Sequence, residues 1–431
     1  MTTASSGAAS AARTSSGLIE LSAERNIDDR IPAPDLATLA AIRSRAALSR
    51  SAVYQRHRAA IERISFGLAY GRPTAPAARP QRSFLRVGAW NIERGRRLPG
   101  IRAYLQATPL LRDADLLLLN EVDVGMARSG NRDVAAELAA ALGFEYVFGN
   151  SYLCLSRGNQ RDGAPEEDNH IGLHGNAILS RFPIRRAENF SVTISKDKFE
   201  SSEKRLGHKK ALWAEIDTPL GSLPVCTLHL DSGASPAQRA AQLADVLALL
   251  DARIFASESG ERPPRCLIGG DFNTTTYDNK SVPRLLWNTF RKLTRGGFAH
   301  AMHHYLHPDK LYEKSIFDAL VESGFDYHGF NHLGRGTIRY EVGSFESESK
   351  VREYLPGVAL SILRWRLRPW DGVASLKLDW FAGRGLHALT HEQTREPAPE
   401  RVSQDPTTIE RPRWDDALLS DHDPIVVDIA W

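Results

Sequence analysis

"LIGGDFNTTTYD", residues 267–278, is the stretch on which the reading of this chain turns. Cys266, Leu267 and Ile268 read as a strand seated in a sheet. Gly269 and Gly270 then strip the strand of side chains where another backbone or a ligand comes close. Asp271 and Asn273 follow, and the period of two along a strand puts them on one side. A carboxylate and a carboxamide are thus offered together at the C-terminal end of a strand. An isolated D-x-N is an ordinary polar turn, so its meaning depends on how the other strands end.

They end alike. "VGAWN" finishes in Asn91, "LLLLNE" in Glu121, and "TLHLD" carries His229 and Asp231. "LKLDW" places Asp379, and "LLSDHDPIVV" places Asp421 and His422 just before the last strand. Strand ends restricted to Asn, Asp, Glu and His suit hydrolysis of a phosphoester with a hard divalent ion. Mg²⁺ takes oxygen ligands, uses one or two carboxylates and keeps several waters. It draws charge from phosphoryl oxygens. A carboxylate can activate the attacking water, and an imidazole held by a second carboxylate can stabilise the developing charge.

Along the chain, residues 1–18 read as a disordered leader of Ala, Ser, Thr and Gly, and 19–70 as an N-terminal extension, helical over 34–69. Residues 71–82 form a Pro-rich linker. From 83 to 431 strands interleave with a few helices, several joined by short turns, which predicts a mixed-sheet α/β sandwich rather than a doubly wound parallel fold. Helices are expected from Pro99, from Asn131 to a stop at Gly143, and from Ser235-Pro236. Two segments break the rhythm, 281–312 and 338–372, and read as insertions that shape a substrate site.

The chain has 431 residues and a formal charge of +3. Residues 1–82 hold twelve Arg, no Lys and six Asp or Glu, a net of +6 that leaves −3 on the remainder. A nucleic-acid binder concentrates base on its working domain, so this distribution weighs against a DNA-directed reading. Cys154, Cys226 and Cys266 form no C-x-x-C pair; free buried thiols and a cytoplasmic, reducing location are expected. The N-terminus lacks the apolar core of a secretory signal, and "YLPGVALSILRW" is too short to span a bilayer.

At the polar strand ends the chain resembles the endonuclease/exonuclease/phosphatase superfamily, which has the fold of DNase I, exonuclease III-type repair enzymes, neutral sphingomyelinases and inositol polyphosphate 5-phosphatases. The resemblance spans Phe84 to Trp431, and "GDFN" with a terminal "SDHDPI" carries it most strongly. It implies a four-layered α/β sandwich, two mixed β-sheets flanked by helices, and a Mg²⁺ cofactor for which Mn²⁺ can substitute. By position it makes Glu121 the principal metal ligand with Asn91 and Asp421 beside it. It makes His229 a phosphate contact, Asp271 the residue that activates water, and Asn273 a transition-state donor. Asp379 would orient His422, the phosphoryl-binding imidazole.

Departures from the family pattern bear on substrate. Exonuclease III-type enzymes carry Gln before the glutamate and Lys two residues after it, where this chain has "LNEVD". "TLHLDS" stands where those enzymes have a tyrosine-bearing segment. "GNAILSRFPI" and the histidine of "TLHLDS" look more like the phosphodiesterase and phosphatase branches, with a small molecule or lipid headgroup as substrate. A DNA or RNA endonuclease is the alternative. The complete motif set argues against a catalytically silent binding module.

Other signals read as follows. In "RSGNRD" Arg128 and Arg132 either contact substrate phosphate or are surface arginines beside an N-cap at Asn131. Lys209 and Lys210 are expected to face solvent. His300, His304 and His307 share a helical face with His303 beside them; with no Glu between and no fourth ligand evident, a solvated or substrate-facing helix is expected rather than zinc. "SILRWRLRPW" reads as an edge strand before a membrane or nucleic-acid contact.

Overall fold

The computed structural model describes residues 15–78, 82–158, 165–195, 197–201, 203–255, 265–274, 287, 297–341, 365–391 and 403–431. Among these, two mixed sheets face each other. The first, six-stranded, runs Ile19–Glu20, Ile184–Ser191, Lys210–Thr218, Gly221–His229, Cys266–Asp271, Asp379–Arg384 in spatial order. The second, nine-stranded, has His387–Ala388, Ile425–Ala430, Leu85–Arg94, Leu116–Val124, Leu173–Ser180, Glu145–Cys154 and Leu68–Gly71 as its path. Each sheet has a parallel pair near its centre, Gly221–His229 with Cys266–Asp271 and Leu85–Arg94 with Leu116–Val124.

Side-chain alternation assigns the faces. Val87, Ala89, Leu116, Leu118, Leu212, Ala214, Val225, Leu267 and Phe381 point between the sheets and form one core. Their neighbours Trp90, Leu117 and Leu119 point outward beneath the helices Leu98–Ala107 and Val134–Leu142. On the other side Trp213, Cys226, Ile268 and Trp380 meet the helices Pro236–Phe255 and Lys314–Glu322. Helix, sheet, sheet, helix is the four-layered sandwich expected.

The N-terminal extension is not the separate helical piece expected. Its helices are Ala33–Ala41, Arg45–Arg50 and Ala52–Ser65, broken where Ser44 and Ser51 act as N-caps, accepting from the amides of Ala47 and Tyr54. Leu68–Gly71 is a strand on the Glu145–Cys154 edge, and Ile19–Glu20 pairs with Ile184–Ser191. The extension therefore supplies an edge strand to each sheet. The helix expected from Asn131 begins at Val134; Asn131 has φ 56°, and Asp133 caps the helix through the amide of Ala136. Gly143 ends it at φ 69°, as read. Residues 1–14 of the leader, most of 281–296 and all of 342–364 lie outside the described residues. Of the two insertions, Gly297–Leu306 is helix, and Ile338–Glu341 pairs with Val373–Leu376. Of "SILRWRLRPW", residues 361–364 lie outside the described residues, and 365–370 are helical rather than an edge strand.

Candidate active site

The face between the sheets is apolar along most of its length and turns polar at one end. Val87 and Ala89 lead to Asn91, Leu116 and Leu118 to Asn120, Val225 to Thr227 and His229, and Leu267 to Asp271. On the antiparallel strands Asn176 precedes Ile178, and Asp379 precedes Phe381. The period of two holds each polar residue on the side of its core neighbours. Register completes the convergence: His229, Asp271 and Asp379 stand in one row of the first sheet, and Asn91 opposite Asn120 in the second.

Asp271 is the hub. Its Oδ2 accepts from Asn91 Nδ2 at 3.1 Å and lies 3.3 Å from His229 Nε2 and 3.8 Å from His422 Nε2. Asp271 and Asp379 are each 1% exposed, His422 5% and His229 7%, so these charges meet almost without water. His422 Nδ1 sits 2.8 Å from Asp379 Oδ2, which leaves Nε2 facing Asp271. Thr337 fixes that dyad: its Oγ1 accepts from the amides of Leu378 and Asp379, and its carbonyl accepts from the amide of Asp423. Asn273 reaches the hub by a different route from the one expected. The strand stops at Asp271, and Asn273 adopts φ 51°, so its amide donates back to Asp271 Oδ1 at 2.9 Å. The two glycines serve the protein itself: a Cβ on Gly270 (φ 133°) would lie 2.3 Å from the Leu228 carbonyl oxygen and 2.7 Å from Asn120 Oδ1.

Glu121 is turned by a bulge. The pairing register shifts between Leu119 and Val122, and Glu121 takes φ 53°; bulges re-aim side chains in this way. Its carboxylate lies 3.7 Å from Arg94 Nε and is 24% exposed. Burial opposes its charge, but Arg94, His229, His174 and Lys209 hold it well below the usual carboxylate range. Asp271 behaves oppositely: burial pushes it up to about 7 against the pull of His422. Burial disfavours a charged His422, yet Asp379 and Asp271 raise it well above the ordinary histidine value. Burial and Lys209 keep His229 neutral. Asp421 is half-buried and adds to the field on His422. One ligand atom from each of Asp271, Asp379 and His422 lies within 4.8 Å of the others, the one such group of three among the described residues.

Three expectations are corrected, those for Arg128, Lys209 and Lys210. Arg128 does not face a substrate; both Asp123 oxygens and Glu203 Oε1 accept from its buried guanidinium, which is spent on an internal ion cluster with His174. Arg132 pairs with Glu137 on the helix surface, in line with the surface-arginine alternative. Lys210 is 1% exposed, its Nζ donating to Ser65 Oγ and the Ser151 carbonyl. Lys209 is half-buried within the field of Asp231, Glu121 and Asp271. Sequence reading also passed over Asn120, although it stands inside the quoted "LLLLNE". Fully buried, its Oδ1 accepts from the amide of Asp271 at 2.9 Å, and its Nδ2 donates to Asn176 Oδ1 and Thr227 Oγ1. A lone amide breaking a run of four leucines was the available signal.

The sequence profile of the Endonuclease/Exonuclease/phosphatase family matches residues 88–422. The chain belongs to this family. Its members are hydrolases of phosphoesters. A comparison with curated proteins finds no match. Among solved structures, the human Nocturnin catalytic domain with bound sulfate is 15% identical, with 84% of this chain and 97% of that chain covered and a TM-score of 0.42. D. rerio TDP2 complexed with single-strand DNA product is 14% identical, at 81% and 100% coverage and a TM-score of 0.41. Beta toxin from Staphylococcus aureus is 12% identical, at 80% and 99% coverage and a TM-score of 0.38. Among the described residues of this family member, no helix is long and apolar enough to cross a membrane.

Proposed function

We propose that the chain is a Mg²⁺-dependent phosphodiesterase or phosphatase that acts on a small molecule or lipid headgroup by in-line attack of water on phosphorus. The observation that carries this is the Asp271 carboxylate, buried and ringed by Asn91, His229 and a His422 locked to Asp379. Asp271, pushed up to about 7, is matched to accept a proton from water near neutrality. Asn91 and Asn273 hold its two oxygens in place. His422, kept protonated by Asp379, donates from Nε2 to a phosphoryl oxygen as charge develops there. His229, neutral, donates or accepts at the phosphate beside Asp271.

The residues present fit a hard divalent ion. Glu121, Asn91 and Asp421 offer only oxygen donors, Glu121 stays ionised at the partly open end of the cleft, and Asp379 Oδ1 is buried with no hydrogen-bond partner. These residues would hold Mg²⁺, or Mn²⁺ in its place, which when bound draws charge from the phosphoryl oxygens. The test is a Mg²⁺-dependent screen of the full chain on p-nitrophenyl phosphate, bis-p-nitrophenyl phosphate, inositol phosphates, sphingomyelin vesicles and plasmid DNA, with His422→Ala as the blank. Turnover of a small phosphoester that is lost in the variant and in chelator supports the proposal. Plasmid nicking at lower enzyme concentration than any other activity would replace it with the endonuclease reading.

A further inference from the structure

Two strand ends bend toward each other beside the cleft. The parallel pair Leu85–Arg94 and Leu116–Val124 shifts register between Asn91 and Arg94, and the second strand shifts again between Leu119 and Val122 against Leu173–Ser180. Glu93, Arg94 and Glu121 take left-handed backbone, at φ 46°, 72° and 53°. Such residues hold that conformation at a cost, and bulges re-aim side chains. Arg94 Nε comes to stand 3.7 Å from Glu121 Oε2, and Arg94 Nη2 3.7 Å from Glu203 Oε2. Behind Arg94 the charges alternate inward: Glu203 pairs with both Arg128 and Arg205, and Arg128 donates on to Asp123, which holds His174. Three arginines, Arg94, Arg128 and Arg205, thus meet three carboxylates, Asp123, Glu203 and Glu121. Burial keeps His174 neutral, so Glu121 is the charge that completes the balance. Arg94 and Glu121 are the outermost members, their side chains 15% and 24% exposed, whereas Arg128 is fully buried.

We propose that Arg94 is an exchangeable counter-ion: it neutralises Glu121 in the ion-free protein and, once a divalent ion takes Glu121, turns to a phosphoryl oxygen of the substrate. This rests on the reading of Glu121 as the principal metal-side carboxylate. Both Arg94 contacts, at 3.7 Å, are longer than the roughly 2.9 Å of a charge-assisted hydrogen bond, so exchanging one of them breaks no close pair. A divalent cation on Glu121 would stand beside the guanidinium and repel it. Glu203 is already bridged by two buried arginines, so the anion that restores the balance has to come from outside. A phosphoryl group supplies it, because the guanidinium fork matches two phosphate oxygens and is never deprotonated. Arg94 would thus favour substrates whose phosphate keeps an anionic oxygen free on the side of Glu121.

The test reads binding rather than turnover. Full-length protein is stripped with chelator and titrated with Mn²⁺ by calorimetry and electron paramagnetic resonance, and the Mn²⁺-loaded protein is then titrated with inorganic phosphate. Arg94→Gln should shift the two affinities in opposite directions. Mn²⁺ should bind at least about tenfold more tightly, because a like charge a few ångströms from the ion is gone. Phosphate should bind at least about tenfold more weakly, because a charge-assisted donor is lost. Arg94→Lys keeps the charge without the fork, so it should hold Mn²⁺ as wild type does and still lose phosphate affinity; it decides the matter if Arg94→Gln fails to fold. Glu121→Gln separates the two ways of failing. If it leaves Mn²⁺ affinity unchanged, the reading of Glu121 falls and the proposal with it. If it weakens Mn²⁺ binding while folded Arg94→Gln leaves either affinity unmoved, the metal reading stands and the counter-ion exchange is overturned.

Discussion

Replacing Asn120 by alanine tests whether the floor beneath Asp271 holds the site together. Asn120 touches no reacting atom in the proposed chemistry, but three buried groups depend on it. The Asp271 amide donates to its Oδ1 at 2.9 Å, and its Nδ2 donates to Asn176 Oδ1 at 3.0 Å and to Thr227 Oγ1 at 3.2 Å. Each group left unmade costs roughly 1–3 kcal/mol. Water entering the vacated space recovers part of this, and the Thr227 hydroxyl can rotate. About 3 kcal/mol is therefore expected, the low end of the three-group sum, against a total stability on the order of 5–15 kcal/mol for a domain. The bonds to Asp271 and Thr227 also cross from one sheet to the other, so their loss frees Asp271 to drift from His422, and an ångström of drift costs up to about a hundredfold in rate. Urea unfolding followed by tryptophan fluorescence reads the first effect, and kcat on the substrate found by the screen reads the second. A midpoint shift worth less than about 1 kcal/mol, with kcat unchanged, would refute the reasoning.

Asp271→Asn should lower kcat by about 10²–10⁴-fold and His422→Ala by roughly 10²–10³-fold, with Asp379→Asn mimicking part of the latter; a purified Asp271→Asn enzyme with near-normal turnover removes the assignment. The same Asp271→Asn change should stabilise the metal-free protein. Asp271 is raised from 3.8 to about 7 on folding, so the native state binds more protons between those values and wild-type stability falls as pH rises through them. The variant should therefore melt higher than wild type at pH 8 in chelator but not at pH 4, and equal melting at both would contradict this. Glu203 works with the opposite sign: burial opposes its charge, but Arg205, Arg128 and Arg94 hold it far below 4.5. Its stabilisation is full above that value and lost as pH falls below it, so Glu203→Gln should be weaker at pH 7 and show a flatter acid limb in thermal melts. Deleting residues 1–71 should yield aggregating or unfolded protein, because it strips an edge strand from each sheet and the Ser65 acceptor from buried Lys210. A soluble, monomeric and active truncation would show the extension to be dispensable.

The site was legible because it lies on strands. The expected cluster members fall at positions that a period of two, or a motif after an apolar run, could locate. The routes of Asn273 and Glu121 were not legible, because each takes a left-handed backbone that breaks the alternation. What the sequence concealed was orientation set by tertiary packing. "RSGNRD" and "KK" look like surface charge, yet Arg128 and Lys210 are buried, since their partners Asp123, Glu203, Ser65 and Ser151 come from other elements. The edge strands at Ile19–Glu20 and Leu68–Gly71 were hidden for a related reason. They are short and lie in a helix-rich, Arg-rich stretch, and only the waiting sheet edges make them strands.

The architecture explains why so much charge can be buried at one end of the fold. In each sheet the parallel pair ends its strands at the same edge, while the antiparallel neighbours begin there, so the inward-facing polar positions meet. Without partners such a group would be untenable, because burying a charge costs several kcal/mol per ion. Here each carboxylate has an assigned counterpart: Arg94 for Glu121, the His422 ring for Asp379, and the Asn91 side-chain amide and Asn273 backbone amide for Asp271. Asp271 has the His422 ring 3.8 Å away, and it is the carboxylate that burial pushes up to about 7. The site carboxylate that burial pushes up is thus the one to which the proton transfer is assigned. Its instability is offset by the inter-sheet packing on which it stands.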